Sequence, residues 1–145
     1  MTGRNASAGL LVLRLIIGWV FLWHGLGKLV GPPFPGDGVS TFADSLMHYF
    51  PSFSDPVLMA MAGAVGLLQT ASGALLILGW QTSIVSSLLI LQVLVSIARV
   101  RFDFGLFGVI GWEKDLIECG VLLCLLLGGP GLASLDGRRR SAGTG

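Results

Sequence analysis

The sequence predicts an all-α fold: an integral membrane four-helix bundle, with a short amphipathic helix between spans one and two. Composition is the first reason. Of 145 residues, 53% are hydrophobic and only 12% are charged, whereas soluble domains carry about 25% charged residues. The mean hydropathy is +0.83. The second reason is segmentation. Apolar runs alternate with Gly/Pro clusters, and each run is near the length of about 20 residues that a hydrocarbon core requires. The third is the 22 glycines, which suit close helix packing in a membrane. The chain is long enough for one such domain. A net charge of +1 offers nothing to nucleic acid, and no nucleic-acid partner is expected.

In order, residues 1–9 read as a polar leader, residues 10–131 as the membrane domain and residues 132–145 as a basic, partly disordered tail. The spans fall at about 10–30, 57–79, 83–99 and 111–129. The first, LLVLRLIIGWVFLWHGLGKLV, carries Arg14, His24 and Lys28, which lipid penalises heavily. At about 100° per residue, Arg14 and Lys28 lie within roughly 40° of each other, with His24 about 40° further round. That polar side, flanked by Gly18 and Gly25, should face inward. No cleavage-site pattern follows it, so it is read as a span and not as a signal peptide.

GPPFPGDG (31–38) stops the helix. Val39, Phe42, Ala43, Leu46, Met47 and Phe50 then recur at helical spacing, as in a helix on the membrane surface or capping the bundle. His48 falls near its polar side and is read as solvated. In span two, Gly66, Gln69, Thr70 and Gly73 share a face, and Gln69 suits an interhelical hydrogen bond. In span three, Gln92, Ser96 and Arg99 share a face. Phe102, Phe104, Phe107 and Trp112 suit an interfacial aromatic belt. Span four ends at Gly129-Pro130-Gly131 and contains Glu113, Lys114, Asp115 and Glu118. Glu118 should sit about 12 Å inside its start, where a carboxylate needs a cation or a proton.

Four spans place both termini on one side, and Arg138-Arg139-Arg140 favours a cytoplasmic tail. In an up-down-up-down bundle, the ends of spans one and three share a membrane face with the start of span four. His24, Lys28 and Arg99 should then lie at the depth of Glu113, Asp115 and Glu118. Two readings stay open: a salt-bridge lock between spans, or a polar pocket walled by the aromatic residues.

Four short motifs carry a family resemblance. Gly25-Leu26-Gly27-Lys28-Leu29 closes the first span, QTASGALLILG runs from Gln69 to Gly79, Gly111-Trp112-Glu113 opens the last helix, and GPGLASLD runs from Gly129 to Asp136. In order and spacing the chain resembles DoxX-family membrane proteins. The resemblance implies a four-helix membrane protein of the bacterial cytoplasmic (inner) membrane, linked to membrane redox and thiol-stress systems. The family often has Glu where this chain has Gln69, and His after the third span where this chain has Arg99 and Arg101. Glu113, Asp115 and Glu118 are the carboxylates that could compensate.

Other constellations are poor. Cys119 and Cys124 point about 140° apart on one helix and cannot form a local pair. The two histidines, His24 and His48, lie on different elements and do not make a haem pair. There is no zinc spacing and no dinucleotide fingerprint for a flavin or nicotinamide, so no haem, flavin or metal site is recognised. The expectation is a quinone-interacting accessory subunit of a membrane oxidoreductase. The candidate proton carriers are Glu118, Asp115 and Glu113; the candidate quinone-contacting residues are His24, Lys28, Gln69, Arg99, Phe104 and Trp112. Electrons would come from a membrane or peripheral redox partner protein. The competing expectations are a non-enzymatic scaffold and a small-solute or proton carrier. Homo-oligomerisation is left open.

Overall fold

The computed structural model describes residues 2–107, 111–131 and 133–137. The regular structure among those residues is all helical, without strands. Helix α1 spans Thr2–Leu29, α2 Gly38–Tyr49, α3 Asp55–Leu78, α4 Thr82–Ser96 and α5 Glu113–Gly128. A π-helical turn, Ile97–Arg101, and a 3-10 turn, Phe102–Phe104, prolong α4. Three segments are long and apolar enough to cross a membrane: Asn5–Leu29, Asp55–Leu78 and Thr82–Phe104.

Outward-facing side chains fit that reading. Ile16 is 60% exposed, Leu67 62% and Leu91 61%, while Arg14 is 1% exposed and Gln69 6%. Apolar outside and polar inside is the arrangement a hydrocarbon solvent selects.

The chain divides into two compact units. The first combines residues up to Gly18 with those from Leu75 onward; the second is Trp19–Ala74. In the first unit, α4 packs against α5 through buried Val85, Leu89, Val93, Leu122 and Leu125. In the second, α2 buries Ala43 and Leu46 against Leu58 and Ala62 of α3, with Val39, Phe42, Phe50 and Met61 packed around them. The spacing of these α2 residues puts them on one side of the helix.

Three boundaries differ from the sequence expectation. Helix α1 begins at Thr2, taking in residues read as a polar leader. Its early turns lie against the C-terminal loop: a Cβ on Gly131 would stand 2.7 Å from the Ser7 carbonyl oxygen and 3.0 Å from Leu11 N. Tertiary packing there overrides a segment with no apolar period of its own. Helix α4 continues through its π-helical and 3-10 turns to Phe104. Helix α5 begins at Glu113. The Arg138–Arg140 run, on which the orientation rests, lies outside the described residues.

Candidate functional site

The second unit holds the first group of candidate residues. Lys28 sits in the last turn of α1 and donates from Nζ to Gln69 Oε1 of α3 at 2.8 Å. The same ammonium lies 5.5 Å from the centroid of the Phe42 ring of α2, within cation–π range. Three helices thus converge on one cation. Close approach of α1 and α3 makes this possible. A Cβ on Gly25 would stand 2.5 Å from both Thr70 N and Thr70 Oγ1, so only glycine fits that contact. The Thr70 hydroxyl turns back to the Gly66 carbonyl oxygen at 2.8 Å, which keeps it satisfied inside the helix pair. His24 is exposed on α1 and takes part in a polar or ring interaction of its own.

The second group belongs to the first unit, where α4 ends and α5 begins. Arg101 Nε lies 3.3 Å from Asp115 Oδ2. Asp115 is buried, and that oxygen is close enough for an ion pair without meeting hydrogen-bond geometry. Sequence spacing placed Arg99, with His24 and Lys28, at the depth of Glu113, Asp115 and Glu118. Arg99 is exposed and makes its own interactions, whereas Arg101 is the arginine set on Asp115. A π-helical turn, Ile97–Arg101, carries both arginines. It widens the helix by one residue per turn, so positions beyond Ser96 no longer follow the α-helical period. Trp112 N donates to the Gly105 carbonyl at 3.3 Å, and Glu113 N donates to Leu106 O at 3.0 Å. These bonds hold half-buried Trp112 and Glu113 against the segment that follows Phe104. Phe104 is 45% exposed and Phe107 78%. Glu118, one turn beyond Asp115, is half-buried and engaged.

A third polar centre was missed as a site. Arg14 Nη1 donates to the Pro130 carbonyl, and Nη2 donates to the Ala133 carbonyl at 3.2 Å. Around it, Asp136 accepts from Gln81 N at 2.8 Å and from Thr82 N at 2.9 Å, and Asp136 N donates to Gly79 O at 3.0 Å. Gly79 has φ +67° and Gln81 has φ 50°. A Cβ on Gly79 would stand 2.5 Å from Arg14 Nη1, so glycine is required by both backbone and space. The Asp136 carboxylate holds the turn at Gln81 and caps α4. No spacing rule links Arg14 to backbone carbonyls more than a hundred residues away, but its position in an apolar span was the available signal.

Both cysteines, Cys119 and Cys124, are free thiols. Among the described residues, no group of three or more His, Cys, Asp or Glu could hold a metal ion.

A family model described as DoxX matches residues 9–102, more than half of the 145-residue chain. No curated protein and no solved structure matches the chain. The match agrees with the motif resemblance, and the three long apolar helices with inward-facing polar groups agree with it in kind. The chain belongs to the DoxX family and is a multi-pass membrane protein.

Proposed function

We propose that this protein is a quinone-interacting accessory subunit of a membrane oxidoreductase system. The observation that carries the reading is the Lys28 ammonium, hydrogen-bonded to Gln69 and facing the Phe42 ring. A quinone headgroup needs a hydrogen-bond donor at a carbonyl oxygen and an aromatic or apolar wall beside its ring. Lys28 offers the donor and Phe42 the wall, and α1, which carries Lys28, is long and apolar enough to cross a membrane, where a quinone resides. His24 and Gln69 complete that set.

Reduction of a quinone to a quinol takes two electrons and two protons. The electrons would come from a partner protein. Glu113, Asp115 and Glu118, with Arg99, Phe104 and Trp112 nearby in the chain, are the proposed proton-handling set. Helix α5, about 24 Å long at its 16 residues, is proposed as the fourth crossing, lengthened by its flanking residues. Helix α2 would lie at the membrane surface, in a bacterial cytoplasmic membrane with both termini inside.

A second reading has its own support. Arg14, Lys28 and Arg101 each engage groups of this chain, as a structural lock in a scaffold would. Gentle purification followed by extraction and identification of quinone and co-purified proteins separates the two. Near-stoichiometric quinone is the expected result. A stable partner with no quinone favours the scaffold.

A further inference from the structure

The unit containing Arg14 holds four buried polar atoms with no hydrogen-bond partner in the protein among the described residues: Asp115 Oδ2, which is ion-paired with Arg101, and three that can donate, Arg14 Nε, Thr82 Oγ1 and Ser86 Oγ. Arg14 is 1% exposed, and Thr82 and Ser86 are each 0% exposed. Buried polar groups are nearly always satisfied, so three orphans in one region need an explanation.

All three belong to the first unit. Thr82 and Ser86 are one turn apart and share the buried face of α4. The Arg14 guanidinium lies against Gly79, at the turn that leads into α4. Asp136 joins these elements, since its carboxylate accepts from Thr82 N and its own N–H donates to Gly79 O. Two backbone donors at the start of α4, Gln81 N and Thr82 N, are therefore already occupied by Asp136. The three orphans are not.

Their chemistry is equally restrictive. Arg14 Nε can only donate, and each hydroxyl has a proton to give. A ligand common to them must accept. It must also be small, because Arg14, Thr82 and Ser86 are all but sealed from the outside.

We propose that Arg14, Thr82 and Ser86 form a buried site for one compact hydrogen-bond acceptor, a water molecule or a halide ion, that ties α1 to the start of α4. A buried water in such a setting makes about three hydrogen bonds and is costly to remove. A halide draws on the same donors, with the arginine charge favouring it and the Asp136 charge opposing it.

The test uses the full chain purified in detergent, as wild type, Thr82→Val, Ser86→Ala and the double variant. Val and Ala preserve the helix and nearly preserve volume. Melting temperature is measured in chloride, bromide and gluconate at equal ionic strength. An occupied site predicts that each single change lowers the melting temperature by several degrees. The double change should lower it by less than the sum, because both hydroxyls serve one ligand. Stabilisation by halide over gluconate, lost in the variants, identifies a halide; the same losses without a halide response identify water. If either single change raises the melting temperature or leaves it unaltered, that hydroxyl is an empty orphan and the site is refuted. Fully additive losses also refute it, because the hydroxyls then act separately.

Discussion

Arg14 shows how one side chain can be tolerated where lipid should reject it. Its guanidinium is turned away from lipid, and two of its nitrogens are met by the Pro130 and Ala133 carbonyls. Arg14→Met keeps the apolar stem and removes the donors, leaving both carbonyls short of partners. The cost should be about 1–3 kcal/mol, read as a lower melting temperature in detergent. Arg14→Lys should also lose stability, because a point charge cannot replace the fork of two donors. An unchanged melting temperature for both variants would show that the clasp contributes nothing. Lys28 is solved differently. Gln69 offers a neutral amide oxygen and Phe42 a ring face, and those are also groups that suit an exchangeable partner.

At the level of elements, the C-terminal loop does more than end α5. Asp136 accepts from two backbone donors at the start of α4, where the helix dipole also favours a negative charge. Asp136→Ala removes that cap and should destabilise the fold by about 1 kcal/mol. Asp136→Asn keeps an acceptor oxygen and should lose less. Equal effects of the two variants in thermal melts would assign the loss to something other than capping. Apolar length and Gly/Pro punctuation made α1, α3 and α4 legible in the sequence, because a membrane span must be long and apolar. The helical period of Val39, Phe42, Ala43 and Leu46 likewise marked α2. The pairing of Arg101 with Asp115 was hidden, and the π-helical turn that carries Arg101 breaks the α period between Ser96 and Phe102. The helical start at Thr2 was hidden too, because residues 2–9 carry no apolar period of their own, and the contact of Ser7 with Gly131 is far away in sequence. Arg14 was visible as a polar intruder in a span, but its backbone acceptors leave no residue-type signature.

For the whole molecule, family, membrane character and function rest on different foundations. The DoxX match and the apolar helices establish the first two; the quinone proposal rests on the Lys28 environment. Orientation is a separate prediction. A reporter fused after Gly145 should report cytoplasm, and one inserted at Gly36 should report the opposite side, because basic segments are retained inside. The reverse pattern would invert the topology without altering the contacts around Lys28. The most direct test of the functional claim is quinone content per protein in wild type and Lys28→Met, purified gently side by side, with melting temperatures confirming that both are folded. The account predicts near-stoichiometric quinone in the wild type and at least a tenfold weaker retention in the variant, equivalent to about 1.4 kcal/mol. A folded Lys28→Met protein that keeps all its quinone, or a wild type that never carries any, would contradict it.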